Sequence, residues 1–199
     1  QHIEGETNSI ESILDALSEL IKIGKIRNIG LSNETPWGTM EFVHQHKDKD
    51  LPKMQSIQNA YNLLNRIFEF GGSEIAFREN VGLLAYSPLA QGYLTGKYQN
   101  GNLPKGSRKE LFDRLQRYEG LGSEDAIQSY LDIAKKYNID PSQLANQFVT
   151  TRPFVTSNII GATSMEQLKL AVTSIEVNLT EEIENDIERA FQKHGNIAS

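Results

Sequence analysis

Cysteine is absent from the 199 residues, so no disulfide framework, thiolate nucleophile or cysteine-ligated zinc is available. No run of about 18 apolar residues occurs to cross a bilayer. The opening QHIEGETNSI has neither the basic flank nor the apolar stretch of a secretory signal. A cytoplasmic protein without a membrane partner is expected, with the glycosylation-type triplets at Asn33 and Asn178 coincidental. Basic residues are in the minority, 20 Lys and Arg against 26 Asp and Glu, and the formal charge of -6 argues against a nucleic-acid surface. Histidine is scarce too; His44 and His46 diverge on a helix, so a histidine metal site is not expected. HExxH, G-x-S-x-G and GxGxxG are all missing, and EGLG around Gly120 and Gly122 falls between helices.

What is present is a repeated unit of amphipathic helix, turn and short apolar strand. Asn8 and Glu11 have capping-box spacing, and Ile10, Ile13, Leu14, Leu17, Leu20 and Ile21 recur at helical period before Gly24. IRNIG reads as a strand over Ile26 to Gly30, followed by a helix that Thr35 caps and Pro36 begins. MQSIQ (Met54 to Gln58), GLLAY (Gly82 to Tyr86) and NIIGA (Asn158 to Ala162) supply three more strands. Helices are predicted over Glu124 to Tyr137, over Pro141 to Arg152 behind an Asp140 cap, over Met165 to Ser174, and over Glu181 to Lys193 behind Thr180. Strands without clean alternation, separated by helices, predict a parallel sheet with helical cover. Without a glycine-rich strand-to-helix turn, a closed β/α barrel fits better than an open doubly wound sheet.

In such a barrel, the carboxyl ends of the strands carry the site. Polar or small residues gather there: Ser32 and Asn33, Gln58 and Asn59, Tyr86 and Ser87, and Gly161 to Ser164. Ser32 and Asn33 either satisfy a turn or hold a ligand, and Gln58 either bonds a neighbouring loop or reads an amide-bearing ring. Tyr86 is either core or a flat platform for a planar cofactor. SPLAQGYLTGK, from Ser87 to Lys97, either cradles a diphosphate or is an ordinary glycine-containing loop. GATSMEQ places small residues before a helix amino terminus that favours anions, while Ser164 and Gln167 also form a capping box. The carboxylates Glu181, Glu182, Glu184 and Asp186 suit a solvated helix start rather than acid catalysis.

In combination, GKIRNIGLSNET, SIQNAYNLLNR, LLAYSPLAQGYLTGKY and IIGATSMEQLK resemble the aldo-keto reductases, and within them the bacterial Tas-like branch, from about Ser12 to Glu188. The resemblance implies an α/β fold: part of a (β/α)8 TIM barrel, about strands 5 to 8 with their helices. Residues 1–199 would then be the C-terminal portion of an NADP-dependent oxidoreductase domain. NADPH is the implied cofactor, a small aldehyde or ketone the implied partner, and hydride transfer the implied reaction. By motif, Ser32, Asn33 and Gln58 would contact the nicotinamide amide and Tyr86 would stack on its ring. Ser87, Leu89, Gly92, Leu94 and Lys97 would line the diphosphate passage. Gly161, Ala162, Thr163 and Gln167 would surround the adenosine end and its extra phosphate, with Ser164 contacting that phosphate or capping the helix.

Two departures accompany the resemblance. Leu170 and Ala171 stand where relatives often carry adenine-holding Glu and Asn. The family's catalytic Asp, Tyr, Lys and His come from the first four strands, so no catalytic residue is assigned, and the 199-residue chain is expected to be inactive alone. Barrels of this kind typically take about 250 residues, against four strands recognised here. The alternatives are a noncatalytic NADPH-binding regulator or redox sensor, or a nonfunctional truncated product. Unpaired sheet edges would favour self-association. The stretch Gln99 to Gly122 reads as a polar, mobile loop.

Overall fold

The computed structural model describes residues 9–49, 51–112 and 116–198. Helix α1 (Ile10–Lys22) opens on Ser9, whose hydroxyl accepts from the Ser12 amide at 3.1 Å; the expected cap, Asn8, lies outside the described residues. Leu14 is fully buried among Ile29, Phe42 and Met54. Strand β1 (Ile29–Ser32) starts later than IRNIG predicts. The amides of Lys25 and Ile26 both return to the Leu20 carbonyl, closing α1, and strand pairing begins only where Ile29 meets Met54.

Helix α2 (Pro36–Lys49) starts as expected, with the Gly38 amide donating to the Thr35 hydroxyl at 3.0 Å. Strand β2 (Met54–Ala60) runs past Gln58 through Asn59 and Ala60. Helix α3 (Gly72–Glu79) follows; its sequence hides it, because Gly71 provides no side-chain cap and the helix has only 8 residues. Strand β3 (Gly82–Tyr86) matches GLLAY.

Beyond β3 lie a 3-10 segment (Ala90–Thr95) and the single-turn α4 (Arg108–Leu111). Then come α5 (Ser123–Lys136), α6 (Pro141–Thr150), β4 (Val155–Ile159), α7 (Met165–Thr173) and α8 (Glu181–His194). Asp140 caps α6 as expected, its carboxylate accepting from Ser142 and Gln143. NIIGA is displaced: β4 pairs from Val155 opposite Leu83 to Ile159 opposite Tyr86, the last residue of β3. Thr156 and Ser157 are exposed on this outermost strand, so it lacks the apolar run that marks a buried one.

The sheet has four parallel strands in the order β1-β2-β3-β4, consistent with part of a (β/α)8 barrel. Its helix-covered face places Ile57, Leu83 and Ala85 in one core with Tyr61, Phe148, Ile127 and Ile187. At the described edges β1 and β4 have no further strand, and α7 buries no residue. No helix among the described residues is long and apolar enough to cross a membrane.

Helix α8 is tied to α5 through Asp186, which accepts from the Tyr137 hydroxyl at 2.7 Å and Lys136 Nζ at 2.9 Å. These donors lower the Asp186 carboxyl to about 2. The stabilisation is therefore complete above the ordinary carboxylate value of roughly 4 and is lost as pH falls through about 2. Thermal midpoints of wild type and Asp186→Asn should differ at neutral pH and converge as pH falls from roughly 4 towards 2. A constant gap across that range would contradict the assignment.

Candidate functional site

Strand register brings the polar strand ends together. Ser32 pairs with Gln58, Gln58 with Leu84, and Ala60 with Tyr86. In-register neighbours share a face and successive residues alternate, so Ser32, Gln58 and Tyr86 lie on one face, opposite the buried Ile57, Leu83 and Ala85. Asn33, at φ 54, follows β1 in the left-handed region, its amide donating to the Gln58 carbonyl at 3.0 Å. Its Nδ2 donates to Ser32 Oγ at 3.3 Å, and its Oδ1 accepts from the Tyr86 hydroxyl at 2.8 Å. Arg117 in turn donates to the Tyr86 hydroxyl at 3.3 Å. Gln58 is half-buried, and its side-chain amide has no hydrogen bond among the described residues.

The loop after Tyr86 is held in an uncommon conformation. Ser87, Ala90 and Gln91 have φ of 57, 47 and 59, and Gly92 follows at 102. Left-handed backbone costs a non-glycine residue about 1 kcal/mol or more, so surrounding contacts must fix it. The chief contact is Asn62, which is fully buried beyond the end of β2. Its Nδ2 donates to the Ser87 carbonyl and to the Tyr118 hydroxyl, both at 2.9 Å, while its Oδ1 accepts from the Leu64 amide at 2.9 Å. Burial pushes the Tyr118 phenol above its ordinary range, so it stays protonated.

Within the same loop Leu94 is buried and Leu89 packs against the core. A Cβ on Gly92 would lie 2.7 Å from Lys97 Cε and 2.9 Å from Nζ, so the lysine stem folds back across this glycine. Lys97 Nζ lies 5.0 Å from the Tyr98 ring centroid and has no carboxylate partner among the described residues.

The last cluster begins just past β4. Gly161, Ala162, Thr163, Ser164 and Gln167 are all exposed. Ser164 caps α7, accepting from the Gln167 amide at 3.2 Å, and Gln167 Oε1 accepts from the Thr163 amide at 2.9 Å and its hydroxyl at 3.1 Å. A Cβ on Gly161 would meet nothing within 4 Å, so that backbone is open to approach.

Arg117, Asn62 and Asn65 escape the sequence reading. Arg117 and Tyr118 belong to the stretch read as a polar, mobile loop, yet Tyr118 is only 1% exposed and anchors to Asn62. The alternation of aromatic and charged residues in QRYEG is the one local signal. Asn62 lies in QNAYNLLNR, where several amides compete and only the tertiary fold shows that Asn62 and Asn65 are the buried ones.

A parallel sheet with helical cover and polar carboxyl strand ends is the arrangement of β/α barrel proteins. The aldo/keto reductase family matches residues 1–191, and the chain belongs to that family. It is 47% identical to Protein tas of Escherichia coli strain K12 over 184 residues, covering 92% of this chain and 53% of that protein. Identity to an Aldo-keto reductase of Babesia bovis is 38% over 199 residues, 96% of this chain and 70% of the relative. Identity to L-glyceraldehyde 3-phosphate reductase of E. coli K12 is 32% over 187 residues, 90% of this chain and 53% of the relative. The chain thus spans about half the length of these two E. coli relatives.

Replacing Asn62 with Ala strands the buried Leu64 amide and removes one donor from the Tyr118 hydroxyl and one from the Ser87 carbonyl, which keeps the Ala90 amide at 2.9 Å. At about 1–3 kcal/mol for the stranded amide, urea unfolding should show a loss of about 2 kcal/mol. A loss below about 0.5 kcal/mol would show that these bonds do not fix the loop.

Proposed function

We propose that the chain is the cofactor-binding portion of an NADPH-dependent aldo-keto reductase that reduces aldehydes or ketones. The observation that carries this reading is the shared face of Ser32, Gln58 and Tyr86, with Asn33 bonded to Tyr86 at its rim. The residues fit the group on two counts: Gln58 retains a free half-buried amide, and the backbone at Gly161 is open. When bound, the reduced nicotinamide supplies the hydride delivered to the carbonyl carbon.

The role of this chain is to bind and orient. Ser32, Asn33 and Gln58 read the carboxamide through paired donors and acceptors, which a basic pocket would not do. Tyr86 offers its ring, held in orientation by Asn33 and Arg117. The loop of Ser87, Leu89, Gly92, Leu94 and Lys97 lines the diphosphate passage, with Lys97 supplying a point charge. Gly161, Ala162, Thr163, Ser164 and Gln167 face the adenosine end, where the α7 amino terminus favours a phosphate. Leu170 and Ala171 weaken the grip on adenine. The carbonyl oxygen is protonated by a residue outside these elements, so the 199-residue chain alone carries no turnover.

A second reading, a noncatalytic NADPH-binding regulator, is favoured by 33% identity over 185 residues to a protein of Schizosaccharomyces pombe named as a putative voltage-gated potassium channel subunit beta. The full-length protein separates the two, because a regulator binds NADPH without carbonyl-dependent oxidation.

Trp37 is the single tryptophan, exposed at the start of α2 four positions after Asn33, and it makes binding measurable. NADPH should quench its emission saturably, and Tyr86→Ala or Gln58→Ala should weaken that binding about tenfold, or about 1.4 kcal/mol. Quenching that neither variant changes, or none in the folded chain, would overturn the proposal.

A further inference from the structure

Asn100 is the one asparagine of the chain that a glycine follows. It stands in the short turn Gln99–Gly101, just past Lys97, and it is exposed, with no side-chain hydrogen bond among the described residues. Its backbone is left-handed at φ 58, and Gly101 follows at φ 72. Gly101 is exposed as well, and a Cβ there would meet nothing within 4 Å. The turn is closed by the Asn102 amide donating to the Gln99 carbonyl at 3.2 Å, one residue beyond the Gly101 nitrogen.

An asparagine in this setting has a reaction open to it. Its side-chain carbonyl carbon can be attacked by the backbone nitrogen of the next residue, an approach that a side chain on that residue hinders and glycine leaves clear. An exposed loop supplies both water and room to turn. Asn102 provides the contrast within the same loop. It is exposed too, but Leu103 follows it, and its Nδ2 is committed to the Lys97 carbonyl at 2.9 Å.

We propose that Asn100 and Gly101 form a site of spontaneous deamidation, and that its isoaspartate product loosens the turn behind Lys97. The Gly101 nitrogen bonds to Asn100 Cγ and gives up its proton, and the side-chain nitrogen leaves as ammonia, closing a succinimide ring. Water then opens either of the two ring carbonyls, giving aspartate or isoaspartate. No oxidant or reductant is needed. Isoaspartate routes the main chain through the side-chain carbons and so lengthens it at position 100. The bonds from the Asn102 amide to Gln99 and from Asn102 Nδ2 to Lys97 both span that point, so both are displaced.

Incubation of the folded chain without cofactor at mildly alkaline pH, followed by tryptic digestion, tests this in the single peptide Tyr98–Lys105. Mass spectrometry should find the exchange of NH2 for OH at Asn100 about tenfold faster than at Asn102, with the product resolved into aspartate and isoaspartate forms. In 1H–15N spectra the isoaspartate form should shift the Lys97 and Asn102 amides. Asn100→Asp, which adds the charge without lengthening the main chain, should shift them less. An unconverted Asn100, equal conversion at Asn102, or conversion to isoaspartate that leaves both amides in place would each overturn the proposal. None of these readouts depends on NADPH, so this inference and the cofactor reading fail separately.

Discussion

The hydrogen bonds of Asn62 hold the site-forming end of the sheet in place. One buried side chain joins the end of β2, the left-handed turn at Ser87 and the aromatic anchor Tyr118. It adds to the backbone bonds that the Ala90, Gly92 and Leu94 amides make within the loop, where Ser87, Ala90 and Gln91 keep positive φ. Asn62 and Asn65 also bond each other through their backbones, amide to carbonyl in both directions.

Charges of both signs meet at this end of the sheet, Glu34 and Arg117 among them. The whole carries -6, but Arg117 and Lys97 lie on the carboxyl side of the strands, where the α7 amino terminus also ends. The carboxylates concentrate elsewhere, as at Glu181, Glu182 and Glu184 in the first turn of α8, where they complement the helix dipole. An anionic ligand is thus governed by local arrangement rather than net charge.

Much of this was legible in the sequence where local chemistry and tertiary contact agree. GLLAY and the caps Thr35, Asp140, Ser164 and Thr180 read directly, because each rests on a short-range signal. The boundaries of β1 and β4 did not, since they depend on which partner residue is available: Met54 for Ile29 and Tyr86 for Ile159. Helix α3 lacked any cap signal. The gathering of Ser32, Gln58 and Tyr86 at strand ends was legible, but their common face needed the register, and the long-range bonds of Arg117 and Asn62, to Tyr86 and Tyr118, leave no local trace.

The central claim is that the carboxyl strand ends of this chain bind NADPH. A 1H–15N shift map of the chain titrated with NADPH tests it most directly. The account predicts saturable shifts at Ser32, Asn33, Gln58, Tyr86 and Gly92 and over residues 161–167, with the α5–α8 contact around Asp186 unmoved. Saturable shifts confined to other surfaces, or none in the folded chain, would contradict it.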